Sequence, residues 1–181
     1  MTSPARPNIY LVGFMGTGKS ILGRLLAREL DYSFVDSDEQ IEESTGLTIP
    51  QIFQSRGEKA FRDLERRFVE SGHPGGRCVV SCGGGMILQP GILESLQEKG
   101  LVISLFASPE TIYERTRGNE NRPLLDVEDP LARIRELLEE RLPVYRKAGI
   151  GVLTDGRNPM EIVHHIKRIY RGARPGLSPH D

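Results

Sequence analysis

The sequence predicts an α/β protein in which a five-stranded parallel sheet is flanked by helices. Short apolar runs of strand length alternate along the chain with longer stretches in which apolar residues recur at helical spacing. The composition is that of an ordinary globular protein, with 38% hydrophobic and 27% charged residues, and it excludes a disordered or fibrous chain. Strands that alternate with helices pair in parallel and are covered by those helices.

The strands are predicted from five apolar runs, at residues 9–12, 33–35, 78–81, 101–106 and 151–153. Apolar residues at helical spacing predict one helix after the first strand and another near the end of the chain. The residues concerned are Ile21, Leu22, Leu25, Leu26 and Leu30 in the first helix and Ile162, Ile166 and Ile169 in the last.

A length of 181 residues fits one domain, which we predict to span residues 1–172. Residues 118–129 hold glycine, proline and several charges between two helical patterns, so they are predicted to form a long mobile loop. Residues 173–181 are predicted to be a disordered tail.

The charge balance excludes one class of function. The chain has 24 Lys and Arg against 25 Asp and Glu residues, a formal net charge of −1, so it lacks the basic excess of proteins that cover nucleic-acid phosphates.

No apolar run approaches the roughly 18 residues that span a bilayer, and Cys78 and Cys82 are too few for a disulfide framework. We expect a soluble, cytoplasmic protein with free thiols that binds neither membrane nor nucleic acid.

The strongest motif is the segment GFMGTGKS at residues 13–20, which matches G-x-x-x-x-G-K-[ST] between a predicted strand and a predicted helix. Glycines let the backbone turn so that loop amides and the helix N-terminus point at one anion. Lys19 is expected to reach the β- and γ-phosphates of a nucleoside triphosphate, and Ser20 to ligate Mg²⁺. The motif does not separate a kinase from a hydrolase or a switch. The candidate nucleotide-binding residues in it are Gly13, Met15, Gly16, Thr17, Gly18, Lys19, Ser20 and Ile21.

Two carboxylates follow the second predicted strand, Asp36 and Asp38. At the carboxyl end of a strand beside the first, they would face the crevice in which such sheets bind ligands. One carboxylate can then belong to a metal shell, while the other binds a substrate hydroxyl or accepts its proton. The alternative is that either residue merely caps the following helix.

Three glycines, Gly83, Gly84 and Gly85, follow the third predicted strand. Backbone amides can approach a ligand there with no side chain in between. A plain tight turn is the alternative for this motif taken alone.

Taken together and in order, these motifs resemble those of shikimate kinases over roughly residues 8–170. The further matching segments are GEKAFRDLE at 57–65, RPLL at 122–125 and ERLPVY at 140–145, with Arg141 and Tyr145. The resemblance implies a P-loop kinase with a mobile lid. It would transfer the γ-phosphoryl group of ATP, with Mg²⁺, to the 3-hydroxyl of shikimate in the pathway to chorismate and the aromatic amino acids. We expect it to act as a monomer.

The resemblance also implies roles for residues on the acceptor side. Asp36 would hold Mg²⁺ with Ser20, and Asp38 would bind the shikimate hydroxyls and serve as the base. Glu65, three residues after Arg62 on a predicted helix, would orient that arginine, whose planar fork matches a carboxylate. The remaining substrate contacts would be Arg62, Arg141, Gly83, Gly84 and Gly85, with Ile49, Phe53 and Phe61 as the pocket wall.

On the nucleotide side, the loop at 118–129 resembles a lid that delivers Arg122 to the phosphates. An arginine that arrives on closure stabilises transition-state charge and keeps water out. Arg115 would stack on adenine, with Arg117 as the alternative, and Arg157 would form the other side of the base pocket. The predicted catalytic residues are Lys19, Asp38 and Arg122.

One position departs from the family pattern. Members commonly have a hydroxyl residue, often Thr, before the glycine triplet, whereas this chain has Cys82 after Ser81. A thiol is a weaker hydrogen-bonding group, so the surroundings of Mg²⁺ would rely on Ser81, water or a shifted geometry. We expect an altered magnesium affinity at most. A metal site made by Cys78 and Cys82 is disfavoured, because they belong to a buried strand with no nearby histidine.

Two other functions compete with this hypothesis. A kinase of the same architecture could act on another polyol acid, such as gluconate, although Arg62, Arg141 and the glycine triplet occurring together argue against it. A catalytically silent relative could use nucleotide binding as a switch, but that hypothesis predicts a damaged site, and the motif residues are intact.

Overall fold

The computed structural model describes residues 7–118 and 123–173, which form an α/β structure with five strands and seven α-helices. The strands are β1 (Asn8–Gly13), β2 (Ser33–Asp36), β3 (Cys78–Ser81), β4 (Gly100–Phe106) and β5 (Ile150–Leu153). The helices are α1 (Lys19–Leu30), α2 (Ser37–Thr45), α3 (Ile49–Ser71), α4 (Ile92–Lys99), α5 (Pro109–Thr116), α6 (Pro130–Ala148) and α7 (Pro159–Gly172). The predicted fold class is confirmed, and all five strands lie where the apolar runs predicted them.

The strands form one parallel sheet in the order β2-β3-β1-β4-β5. Leu11 on the central strand β1 pairs with Ser81 on β3 and with Ile103 on β4. Because all strands run in the same direction, their carboxyl ends meet at one edge of the sheet. The segments that follow β1, β2 and β3 therefore come together there, and they carry the phosphate-loop motif, the two carboxylates and the glycine triplet.

Side chains alternate between two apolar layers along β1. Ile9 and Leu11 belong to a core layer with residues of α1 and α7, whereas Tyr10 and Val12 belong to a second layer with residues of α3, α4 and α6. All four side chains are almost completely buried, as expected for a strand covered on both faces. The sheet is thus a rigid platform for the segments at its carboxyl edge.

Helix α3 is interrupted at Gly57, which the sequence did not predict. Its φ and ψ of 80° and 171° lie in a region that glycine adopts and other residues avoid. The first part of α3 begins with a capping box made by Thr48 and Gln51. The carboxylate of Glu42 on α2 accepts a hydrogen bond from the amide of Ile49 at 2.7 Å. These contacts fix the start of α3 against α2.

The predicted loop and tail are described in part. In the loop, Pro123–Leu125 form a short 3₁₀ turn, and Leu125 packs against the core. Residues 119–122 lie outside the described part of the chain. At the start of the predicted tail, the amide of Ala173 donates to the carbonyl of Ile169 at 2.8 Å and closes α7. The rest of the predicted tail lies outside the described residues.

Among the helices in the described ranges, none combines the length and the apolar character that crossing a membrane would require.

Candidate active site

The phosphate loop lies between the end of β1 and the start of α1. Gly13 has a φ of 140°, and a Cβ atom there would clash with the carbonyl oxygen of Leu105 on β4, so only glycine fits this position. Helix α1 begins without a side-chain cap, because its N-cap residue is Gly18 in the left-handed conformation. The uncapped first turn offers its backbone amides to an anion.

Two side chains of the loop hold its own backbone. Thr17 is buried and donates from Oγ1 to the carbonyl oxygen of Phe14 at 2.8 Å. Lys19 Nζ donates to the carbonyl oxygens of Gly13 and Phe14 at 2.8 and 2.9 Å. The ammonium group therefore lies against the loop, where a bound phosphate would meet it.

A cavity of about 560 Å³ opens above this loop, within the size range of small-molecule sites. It brings together most of the predicted nucleotide-binding residues with both carboxylates and the start of the glycine triplet. Its lining includes Met15, Gly16, Thr17, Gly18, Lys19, Ser20, Ile21, Asp36, Asp38, Ser81, Cys82, Gly83, Gly84, Arg115, Thr154 and Arg157.

Asp36 caps α2 and also contacts Ser20 of the phosphate loop. Its Oδ1 caps α2 by accepting from the amide of Asp38 at 3.0 Å, and its Oδ2 accepts from Ser20 Oγ at 2.7 Å. The hydroxyl of Ser81 lies 3.3 Å from that of Ser20. This is a cluster of hard oxygen donors next to the phosphate loop, which suits Mg²⁺. No group of three or more His, Cys, Asp or Glu in residues 7–118 and 123–173 could hold a metal by itself, so a cation here would take further ligands from phosphates and water.

The thiol of Cys82 is buried to 1% exposure in the core layer of Tyr10 and Val12. Burial raises its pKa well above the ordinary value, so the thiol stays protonated. Ser81, the preceding residue, is the one whose hydroxyl faces Ser20. The hydroxyl group beside Ser20 thus comes from Ser81, the residue before Cys82, and it is at Cys82 that the sequence departs from the family pattern.

Asp38 connects the phosphate loop with the glycine triplet. It lines the same cavity as Lys19, and its Oδ1 lies so close to Gly83 that a Cβ atom there would come within 2.8 Å. Burial and the neighbouring charge of Asp36 raise the pKa of Asp38 to about 6, against the opposing effect of Lys19. A carboxyl group tuned toward neutrality is suited to accept a proton during a reaction.

The amide of Gly83 is already engaged, because it donates to Ser37 Oγ at 2.8 Å. Gly83 therefore contributes space beside Asp38, and the predicted amide contacts to a substrate fall to Gly84 and Gly85.

Arg62 on α3 is fixed beside the triplet by a buried carboxylate. Its Nη1 donates to Glu65 Oε2 at 2.7 Å, and its Nη2 donates to Glu58 at 3.2 Å. A Cβ atom on Gly85 would lie 3.1 Å from both terminal nitrogens of Arg62. Glu65 is only 1% exposed and also accepts from Gln89 Nε2 at 2.6 Å. Burial raises the pKa of Glu65 to about 7, although the hydrogen bond and the charge of Arg62 oppose the rise.

Helix α6 approaches the triplet from another direction. The hydroxyl of Tyr145 donates to the carbonyl oxygen of Gly84 at 2.6 Å. Arg141, one turn earlier on α6, lies over the ring of Phe14 at 5.6 Å from its centroid. Its Nε is buried and has no hydrogen-bond partner among the described residues. Because buried donors are normally satisfied, this nitrogen is suited to an anionic ligand.

The predicted apolar wall lies on α3. The rings of Phe53 and Phe61 stand 4.9 Å apart, and the guanidinium of Arg62 lies 5.5 Å from the centroid of Phe61. Phe61 is 5% exposed and Phe53 38% exposed. Ile49 is half-buried and packs against the same core layer. The wall therefore presents one exposed ring, that of Phe53, beside the buried ring of Phe61.

Arg115 and Arg117 have different surroundings. Arg115 lines the cavity and donates to the carbonyl of Gly16 at 3.2 Å and to Thr154 Oγ1 at 3.0 Å. Arg117 pairs with Glu114 at 2.9 Å. The geometry therefore favours Arg115 for the base pocket.

Two further arginines, Arg157 and Arg122, were predicted on the nucleotide side. Arg157 also lines the cavity and donates to the carbonyl of Leu153 at 3.2 Å. Arg122 lies outside the described residues.

Sequence reasoning missed the polar contacts of Tyr145 and Gln89. Tyr145 lies four residues after Arg141, and that spacing places both on one helix face. The position of Gln89 carries no comparable signal, because only the folded turn after the triplet brings it to Glu65.

A glycine-built anion site that opens a helix, with carboxylates after another strand of the same parallel sheet, defines the class of P-loop phosphoryl-transfer proteins. Within that class, a family model described as Shikimate kinase matches residues 15–171. The chain therefore belongs to the shikimate kinase family, whose members are ATP-dependent kinases that phosphorylate a hydroxyl group of shikimate.

Individual relatives agree with the family model. The chain is 50% identical to a shikimate kinase of Thermus thermophilus over 167 residues, which cover 91% of each protein. A solved shikimate kinase from Acinetobacter baumannii, in complex with shikimate, superposes with a TM-score of 0.84 at 39% identity over 90% of this chain and 92% of that one. A gluconokinase from Sinorhizobium meliloti, at 18% identity and a TM-score of 0.54 over 93% of this chain and 96% of that one, shares the fold alone.

Proposed function

We propose that this protein transfers the γ-phosphoryl group of ATP to the 3-hydroxyl group of shikimate, giving shikimate 3-phosphate and ADP. One observation carries the proposal. Asp38 lines the cavity above the phosphate loop and also touches the triplet against which Arg62 lies. A single carboxylate can thus meet both the acceptor hydroxyl and the phosphoryl group.

Lys19 and the amides of the phosphate loop bind the β- and γ-phosphates. Ser20 and Asp36 would hold Mg²⁺, which would supply positive charge to neutralise the phosphates. Arg115 and Arg157 flank the adenine base, since both line the cavity beyond the loop. To Arg122, which lies outside the described residues, we assign the stabilisation of the charge that develops on the transferred group.

The acceptor is held by its carboxylate and its ring. Arg62 and Arg141 bind the carboxylate, because a guanidinium fork matches it with two parallel hydrogen bonds. The amides of Gly84 and Gly85 face the same ligand, and the carbocyclic ring rests on Ile49, Phe53 and Phe61. The unpartnered Nε of Arg141 supports this assignment.

Asp38 accepts the proton of the 3-hydroxyl as that oxygen bonds to the γ-phosphorus and the bond to the leaving ADP breaks. Its pKa of about 6 keeps it ionised at neutral pH while leaving it basic enough to take the proton. Positioning and charge stabilisation supply most of the rate, as is general for phosphoryl transfer.

We propose further that residues 1–172 form one kinase domain that works as a cytoplasmic monomer on small molecules. The near-neutral charge supports the absence of a nucleic-acid partner. Two buried free cysteines are in keeping with a reducing compartment.

The test is an ADP-release assay with MgATP and a panel of shikimate, quinate, gluconate and buffer alone. We expect release that depends on shikimate and scarcely on the others. Release with gluconate or quinate instead would preserve the phosphate loop and discard the roles of Arg62 and Arg141. Folded, ATP-binding protein that released no ADP would be a silent relative. Cys82→Thr would then be the first variant to test.

A further inference from the structure

The carboxylate of Glu65, which holds Arg62 on the same helix, is itself held from a second segment of the chain. Glu65 Oε2 accepts from Arg62 Nη1 at 2.7 Å and from Gln89 Nε2 at 2.6 Å. Gln89 is half-buried at the end of the 3₁₀ turn formed by Met86–Leu88, directly after the triplet. The turn after β3 is thus linked to α3 through Glu65 Oε2.

We propose that Gln89 is a positioning residue for the acceptor: its amide fixes Glu65, and Glu65 in turn presents the guanidinium of Arg62 beside Gly85. The inference rests on the proposed function, because it concerns how the shikimate carboxylate is held. Gln89 acts through Glu65 and Arg62 and makes no contact with reacting atoms.

The charges around Glu65 explain why a second donor is needed. Arg62 and Glu58 face it from α3 and Asp38 faces it from α2, so one cation is opposed by two other carboxylates. Glu65 is also almost fully buried, and a buried carboxylate stays ionised only when it is well hydrogen-bonded. Removal of the amide of Gln89 therefore favours the protonated form, which holds Arg62 more weakly.

A neutral donor also suits the acceptor site better than a cation would. An amide satisfies Glu65 without adding a positive charge that would compete with Arg62 for the carboxylate of the substrate. With Gln89 as the second donor to Glu65, the guanidinium of Arg62 therefore remains the positive charge that binds the substrate carboxylate.

The experiment compares the wild type with Gln89→Met, which keeps the length of the side chain and removes the N–H donor. We expect KM for shikimate to rise about 10-fold, the usual effect of one hydrogen bond to a charged group, with kcat and KM for ATP unchanged. The value of kcat/KM for shikimate is expected to fall as the pH decreases through the pKa of Glu65, which is about 7. This decrease is the acid limb of the pH profile. In Gln89→Met this acid limb moves to higher pH, and in Gln89→Lys it moves to lower pH, because a cation stabilises the ionised carboxylate.

Gln97→Met is the matched control. Gln97 on α4 likewise donates one hydrogen bond, to the carbonyl of Ala148 at 3.0 Å, at the opposite edge of the sheet. This variant is expected to leave KM for shikimate and the acid limb unchanged. Thermal unfolding of each variant verifies that the fold is intact.

A rise in KM with an unmoved acid limb would reduce Gln89 to a structural role and overturn the proposal, as would an unchanged KM. Carbon-13 NMR titration of the Glu65 carboxyl group tests the same link without turnover: its pKa must be higher in Gln89→Met. Wild-type protein without shikimate-dependent ADP release would instead overturn the proposed function, and the titration would still decide whether Gln89 controls Glu65.

Discussion

The two halves of the candidate active site are built in different ways. The nucleotide half comes mainly from one continuous segment, residues 13–20, and its anion site consists of backbone amides that only glycine-rich geometry permits. The acceptor half is assembled from side chains of α3 and α6 and from the turn after β3. A site made of backbone is defined by its local sequence, whereas a site made of side chains depends on what packs behind each of them.

This difference predicts where mutations act. Changes in the phosphate loop remove the charge that meets the transferred group and reduce turnover. Changes in the acceptor half alter how a side chain is aimed, so they weaken substrate binding first.

The largest effect is expected for Lys19→Ala, which removes the ammonium group next to Gly13 and Phe14. We expect kcat to fall by about 10²- to 10³-fold, typical of the loss of one transition-state donor, with a much smaller change in KM for shikimate. Steady-state kinetics with both substrates varied measures this. Lys167→Ala, which loses a surface ion pair with Glu29 on the outside of the protein, is the control and should be nearly silent. A variant impaired chiefly in KM would show that the division between the halves is wrong.

A smaller effect, of the opposite kind, is expected for Arg62→Ala. Loss of a charge-assisted contact to the substrate carboxylate should raise KM for shikimate about 10- to 100-fold and leave KM for ATP unchanged. Arg66→Ala, one turn further along α3 with an exposed side chain that donates to the carbonyl of Pro90 at 3.3 Å, is the matched control. Unaltered shikimate kinetics in Arg62→Ala would mean that the substrate assignment is mistaken.

The smallest effect is expected for Tyr145→Phe, which removes the hydrogen bond to Gly84 and the contact of the hydroxyl group with Arg141. We expect a loss of about 1 kcal/mol in the free energy of unfolding, measured with urea, and a rise of less than about 10-fold in KM for shikimate. Tyr113→Phe on α5, a half-buried tyrosine of the same core layer, provides the comparison. If Tyr145→Phe lowered kcat and spared KM, the triplet would belong with the nucleotide half.

Much of the fold could be predicted because apolar runs mark buried strands directly. The phosphate loop was equally accessible, since its chemistry lies in eight consecutive residues. The surroundings of Arg62 could be predicted only in part. The spacing of three residues places Glu65 on the same helix face, but the contact between Glu65 and Gln89 spans 24 positions of sequence. The interruption at Gly57 escaped prediction as well, because an isolated glycine in a helical pattern is usually tolerated.

The interruption at Gly57 affects the local unfolding of α3. The helical backbone conformation is broken at Gly57, so we expect residues 49–56 and 58–71 to be separate units for amide hydrogen exchange. The second unit is anchored by Phe61, Phe68 and Val69 in the core, so its amides are expected to exchange slowly. The first unit is anchored by fewer buried side chains and is expected to exchange faster, which would let Phe53 separate from Phe61 while Arg62 keeps its position.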